Sequence, residues 1–152
     1  IENRQFLLAE QVDVRKIIQQ SLEYYEEQKS ALNISVKIEI HDSLIVQGNI
    51  MLTEILVQNL LKNAFLHNID NGEVSIKIKE NMLIIGNTGQ VKDGKSLTFE
   101  QEKLFNRFYK QSGNPDTWGL GLAIAKKIAD TSGWELHYRF DELIHIFEIT
   151  FR

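Results

Sequence analysis

Hydrophobic and polar positions along this chain follow two periods, and each switch between them marks an element. From Asp13, a residue type suited to an N-cap, apolar side chains at Val14, Ile17, Ile18, Leu22 and Tyr25 recur at helical spacing to about residue 29. Ile34, Val36, Ile38 and Ile40 then alternate with Ser35, Lys37 and Glu39, the period of a half-buried strand. Residues 44–47 read as its returning partner after a turn at His41-Asp42-Ser43. The longest helical stretch covers residues 49–68, where Met51, Leu52, Ile55, Leu56, Leu60 and Phe65 make a broad apolar face. Asp70-Asn71-Gly72 closes it with turn chemistry. Val74, Ile76 and Ile78 share one face of a strand, and a second strand begins at Met82 after a reversal at Glu80-Asn81.

Thr98 and Gln101 have capping-box spacing and predict a helix to about residue 110, followed by a polar loop over 111–118 that holds the single proline, Pro115. Helical spacing resumes over residues 119–132, and strands over 135–140 and 143–151 end the chain. Residues 1–12 read as a connector, so the folded domain is expected over 13–152. This order predicts an α/β fold: a two-layer sandwich with a mixed, mostly antiparallel sheet covered by helices on one face.

Composition narrows the function. At 152 residues, 43% apolar and 25% charged, the chain suits one globular domain rather than a disordered or fibrous segment. Its net charge of −4 supplies no cation excess for phosphate backbones, so no nucleic-acid partner is expected. Cysteine is absent, which excludes disulfides, thiolate zinc sites and cysteine nucleophiles. No apolar run approaches the ~20 residues that cross a bilayer. The chain opens on Ile1 rather than Met, as expected of a piece of a longer protein.

Four short patterns carry candidate chemistry. Asn59 and Asn63 are four residues apart on the long helix, sharing one face of an otherwise apolar stretch. Such amides need partners, and a metal or ligand is one choice; backbone or water is the other. Ile84-Ile85-Gly86-Asn87-Thr88-Gly89 puts small polar residues at the end of a buried strand, where ligands commonly sit in α/β sheets, although a plain strand-to-loop turn has the same look. Gly119-Leu120-Gly121-Leu122 opens a helix whose free amide N–H groups favour an anion such as phosphate, yet no Gly-Lys-Ser/Thr follows as in a P-loop. Phe105 and Phe108 would anchor one face of a short helix while Arg107 and Lys110 reach outward, toward a phosphate or simply toward solvent.

Taken in order, these segments closely resemble the catalytic ATP-binding domain of sensor histidine kinases, within the superfamily shared with DNA gyrase B subunits, MutL and large heat-shock chaperones. N-L-L-K-N-A-x-x-H resembles the N box, I-x-N-T-G the first glycine box, L-F-x-R-F-Y-K the F box, and G-L-G-L-A-I-A-K-K-I the second glycine box, over about residues 13–151. The resemblance implies the Bergerat-type ATP-binding fold. It also implies ATP and Mg²⁺ as cofactors, with Asn63 as metal ligand and catalytic residue, Asn59 supporting it, and Lys62 and His67 on the same helix near the nucleotide. Asn87, Thr88 and Gly89 would form the base pocket. Gly119, Leu120, Gly121 and Leu122 would approach the triphosphate, with Phe105, Arg107, Phe108 and Lys110 in a lid spanning about residues 90–118.

Departures from the family pattern are equally specific. Asn87 stands where most members have Asp, Val91 replaces the second glycine of D-x-G-x-G, Thr117 replaces the first glycine of G-x-G-L-G, and Leu66 sits where many relatives carry Lys or Arg. Hydrolytic members place a Glu four residues before the metal-binding Asn; here that residue is Asn59, an amide that is no general base near neutral pH. Phosphoryl transfer is therefore expected rather than hydrolysis. Histidine kinases phosphorylate a helical His followed by an acidic residue and then a Pro, a setting that His41, His67, His137 and His145 all lack. The implied partners are an upstream dimerisation and phosphoacceptor domain of the same protein and a response-regulator receiver domain. The parent would be a homodimer anchored in the inner membrane with this domain in the cytoplasm. Two other readings stay open: a degenerate nucleotide-binding or interaction module, and an anti-sigma-type serine kinase.

Overall fold

The computed structural model describes residues 10–89, 91–92, 95–96 and 119–152. The chain starts with strand β1 (Glu10–Asp13) and helix α1 (Val14–Leu22), whose N-cap Asp13 accepts a hydrogen bond from the Lys16 N–H at 3.2 Å. One continuous helix was expected to about residue 29. Instead a 3₁₀ turn at Glu23–Tyr25 separates α1 from α2 (Glu26–Leu32), which ends at Asn33 in the left-handed conformation. The break has a tertiary cause: the Tyr25 ring stacks on Phe65 at 5.1 Å, and its hydroxyl donates to the Gln58 carbonyl at 3.1 Å. Holding that tyrosine against the long helix tightens the turn where it sits.

Strand β2 (Ser35–Glu39) follows, then β3 (Ile45–Gly48). These were expected to pair as a hairpin, and they do not. β3 pairs antiparallel with β1, from Glu10 opposite Gly48 to Asp13 opposite Ile45. Glu10–Val12, read in the sequence as connector, therefore belong to the fold, with Val12 fully buried. β2 lies parallel to β4 at the edge of the main sheet, and there Ile38 is 52% exposed, so its alternation reports strand geometry without the burial it suggests.

Helix α3 (Ile50–Leu66) starts at Asn49, whose side chain accepts from the Leu52 N–H at 2.9 Å. The hairpin β4 (Glu73–Lys79) and β5 (Met82–Thr88) comes next, with the two-residue strands β6 (Val91–Lys92) and β7 (Lys95–Ser96) after it. Helix α4 (Gly119–Ser132), β8 (Glu135–Asp141) and β9 (Ile144–Thr150) complete the chain. The helix expected over residues 98–110 and the loop over 111–118 lie outside the described residues.

The main sheet runs β2-β4-β5-β9-β8, with only β2–β4 parallel. Val74 and Ile76, Leu83 and Ile85, Leu136 and Tyr138, Phe147 and Ile149 are all buried, and all sit at one parity of their strands. They meet Leu56, Leu60, Leu61 and Phe65 of α3 and Leu122, Ala125 and Ala129 of α4 in one core. On the opposite parity, Ser75, Lys77, Glu135, His137 and Arg139 alternate with them. Helices thus cover one face, as expected. Among the described residues no helix is long and apolar enough to cross a membrane.

Candidate functional site

Three contacts fix how α3 and α4 stand against one another. Gly48 lies against both Trp134, just past α4, and Thr53 on α3: a Cβ there would sit 3.0 Å from the indole and 3.7 Å from the threonine oxygen. At the other end of α4, a Cβ on Gly121 would lie 3.1 Å from Asn59 Oδ1. The two helices therefore run antiparallel, with the start of α4 beside Asn59. Asn63, one turn further along α3, lies about 6 Å beyond it at 1.5 Å per residue. That is the ground in front of α4's N-terminal end, where unpaired N–H groups and the helix dipole favour anions.

Asn63 is 3% exposed, and its Nδ2 has no hydrogen-bond partner among the described residues. An unsatisfied buried amide costs about 1–3 kcal/mol, so native chains seldom carry one without a use. Its nitrogen asks for an acceptor such as a phosphate oxygen, and its oxygen is a hard donor suited to Mg²⁺. The donor set therefore fits a metal–triphosphate. Asn59 is half-buried and Lys62 is exposed. His67, 1% exposed, caps the C-terminal end of α3, its N–H donating to the Asn63 carbonyl at 3.1 Å.

The same end of α3 is tied to the end of β5. The Thr88 hydroxyl donates to Asn68 Oδ1 and accepts from the Glu73 N–H at 2.9 Å, while Asn68 Nδ2 reaches the Ala64 and Glu73 carbonyls at 3.0 Å each. Thr88 thus spends its hydroxyl on the fold, and what it offers a base pocket is backbone. This knot sets Asn87, 3% exposed on the helix-facing side of β5, near the same end of α3 as Asn63. Asn87 Nδ2 donates to the Thr88 carbonyl at 2.8 Å. A carbonyl only accepts, so the amide nitrogen must face it, and Oδ1 remains as the acceptor.

The second glycine box divides in two. Leu120 is 48% exposed, whereas Leu122 is fully buried in the core and anchors the helix start, leaving only its backbone for a ligand. Gly119 begins α4. Phe105, Arg107, Phe108 and Lys110 lie outside the described residues. Of the four histidines, His67 and His145 are buried, and His137 is exposed on the polar side of β8, where Glu135 accepts from it at 3.2 Å. His41 is exposed beyond β2.

Asn68, Tyr138 and His145 lie outside the four motifs. The last two form a buried pair, Tyr138 hydroxyl to His145 Nδ1 at 2.7 Å. Their signal was present but faint: His145 holds the same inward parity as Phe147 and Ile149. Burial pushes the His145 imidazole down to about 4, keeping it neutral.

Residues 48–149 match the family described as histidine kinase-, DNA gyrase B- and HSP90-like ATPase. Among curated proteins, the chain is similar to the heme sensor protein HssS of Staphylococcus saprophyticus, 36% identical over 98 residues that cover 64% of this chain and 20% of that protein. It is also similar to the sensor protein CutS of Streptomyces coelicolor, 26% identical over 140 residues, covering 86% of this chain and 33% of that one. The chain thus spans a fifth to a third of these relatives. Among solved structures, the mycobacterial sensor histidine kinase MprB superposes with a TM-score of 0.79 at 24% identity, covering 93% of this chain and 97% of that one. The catalytic domain of histidine kinase ThkA gives 0.75 at 22% identity, covering 94% and 96%. At those identities the likeness shows the fold.

Proposed function

This chain belongs to the family of histidine kinase-, DNA gyrase B- and HSP90-like ATPases, and on that premise we propose that it is the catalytic ATP-binding domain of a two-component sensor histidine kinase. It passes the γ-phosphoryl group of ATP to a histidine on another domain of its parent. The observation that carries this reading is the buried Asn63 Nδ2, which has no hydrogen-bond partner among the described residues and lies one turn beyond Asn59, beside the α4 start.

Each residue has a part in it. The first N–H groups of α4 hold phosphate oxygens, and Leu122 fixes their direction by anchoring the turn in the core. Gly121, without a side chain, lets that turn close on Asn59, which orients it. Asn63 Oδ1 is the protein ligand for Mg²⁺, which when bound neutralises charge on the phosphates during transfer. At the base end, Asn87 Oδ1 accepts a hydrogen bond from the exocyclic amino group of adenine. Asn59 stands where hydrolytic relatives carry a carboxylate, and an amide cannot act as general base toward water, which favours transfer over hydrolysis. Burial of His67 and His145 withholds both from the role of phosphoacceptor.

The partners that follow are the parent's dimerisation and phosphoacceptor domain and a response-regulator receiver domain, with the parent a homodimer and this domain on the cytoplasmic side of the inner membrane. The test is phosphorylation of a supplied phosphoacceptor domain with Mg·ATP. Wild-type chain should transfer phosphate and Asn63→Ala should not, while binding the acceptor domain equally well. No saturable ATP binding at millimolar nucleotide, and no transfer, would turn the reading to an interaction module.

A further inference from the structure

Beneath the strand end that carries Asn87 lies a buried histidine outside the four motifs. His145 stands directly across from Asn87 in the β5–β9 ladder, on the same helix-facing side, and is 2% exposed. Tyr138 on the adjoining strand holds its Nδ1, and the Tyr138 and Phe140 rings lie 5.9 and 5.0 Å from it between centroids. The other edge of the imidazole faces Gly89. A Cβ on that glycine would come within 2.5 Å of His145 Cδ2, and closer still to Nε2. The ring is thus wedged between an anchored hydroxyl and the backbone two residues after Asn87. A side chain at position 89 would have to displace that imidazole.

Resting on the nucleotide reading above, we infer that His145 is a positioning residue for the nucleobase. It braces the Asn87-Thr88-Gly89 backbone where Asn87 Oδ1 meets an exocyclic amino group, and so sets the preference for an amino-purine over an oxo-purine. Hydrogen bonds fall off steeply with distance and angle, so a strand end free to settle toward β9 loses this contact first. Phosphate binding, built on α3 and α4, is untouched by that slack. ATP and inosine triphosphate share ribose and phosphates and differ at the atom Asn87 would read: an N–H donor in one, a carbonyl acceptor in the other.

The experiment measures dissociation constants of both nucleotides, with Mg²⁺, for the wild-type chain, His145→Ala, Tyr138→Phe, Gly89→Ala and the Gly89→Ala/His145→Ala pair. The wild type should prefer ATP. His145→Ala should weaken ATP about tenfold, the size of one lost hydrogen bond, and inosine triphosphate less than about twofold. Tyr138→Phe keeps the ring and deletes only the anchor, so it should shift the preference in the same direction by less. Gly89→Ala should weaken ATP, and removing the imidazole beside it should return affinity to the His145→Ala level. Equal weakening of both nucleotides, or unchanged ATP affinity, in both His145→Ala and Tyr138→Phe overturns the inference. A wild-type chain that binds neither nucleotide overturns the nucleotide reading itself and the inference with it.

Discussion

Gly121 meets Asn59 across the seam between α3 and α4, where a Cβ would stand 3.1 Å from the asparagine Oδ1. That spacing is tighter than ordinary van der Waals contact, so a methyl group there obliges the Asn59 side chain to give way. Alanine is worth about 0.5–1 kcal/mol over glycine at a helical position. Gly121→Ala should therefore leave the unliganded chain no less stable in urea unfolding, yet bind Mg·ATP more weakly by titration calorimetry. Opposite signs in the two measurements separate a displaced binding group from a damaged fold.

Asn63 calls for a similar split. Its buried Nδ2 has no partner among the described residues, and an unsatisfied buried amide costs stability. Removing it with Asn63→Ala recovers about 1–3 kcal/mol, which offsets the packing lost with a small side chain. The unliganded variant should melt at or above the wild-type temperature. Saturating ligand adds about 2.7 kcal/mol at a hundred times its dissociation constant, and Mg·ATP should give that shift to the wild type but not to the variant. A variant that melts lower without nucleotide would show that Asn63 serves the fold.

These splits rest on features that differ in how plainly the sequence shows them. Asp13 at the head of α1 and the inward pair Val74 and Ile76 are local signals, fixed by capping and by period, and the structure follows them. Strand partners are not local. Ile45–Gly48 pairs with β1 rather than with β2, because which edge a strand joins depends on where the chain returns in space. The α1–α2 break is equally hidden, since it answers to Phe65 and Gln58, some forty and thirty-three residues from Tyr25. Asn59, Asn63 and Gly121 could be picked out singly from spacing. That α4 opens beside Asn59 required the antiparallel packing of two helices. Parity along β9 places His145 on the inward side, but its role and that of Asn68 depend on partners brought by the sheet, which spacing does not show.

Gly72 gives the knot at the end of β5 its own test. A Cβ there would lie 2.5 Å from Thr88 Oγ1 and 2.8 Å from the Ile69 carbonyl, and would also collide with Asn68 Oδ1. The backbone carbonyl cannot swing aside, and both side chains are hydrogen-bonded to their neighbours. Gly72→Ala should cost about 1–3 kcal/mol, as overpacking does. Because Thr88 adjoins Asn87, ATP affinity should fall as well. Urea unfolding and titration of one preparation check both, and a change in stability alone would uncouple the knot from the base end.

Acid should act through His145. In the unfolded chain this imidazole titrates near 6.5, whereas in the fold its burial holds it down to about 4. Between those values the unfolded state carries the proton and the folded state does not, so unfolding takes up a proton and stability rises with pH. Lowering the pH from 6.5 toward 4 therefore destabilises the domain, with one proton contributing a slope of up to about 1.4 kcal/mol per pH unit. Above 6.5 both states are neutral and the contribution is flat; below 4 both are charged and it is flat again. His145→Asn keeps an acceptor near Nδ1 for the Tyr138 hydroxyl and titrates nowhere in this range. Urea unfolding of wild type and His145→Asn at pH 7, 6 and 5 should show profiles that diverge as the pH falls, the wild type losing stability faster. The remaining histidines and carboxylates are common to both proteins and cancel in the difference. Parallel profiles would mean that the buried imidazole takes its proton in the folded state as readily as in the unfolded one.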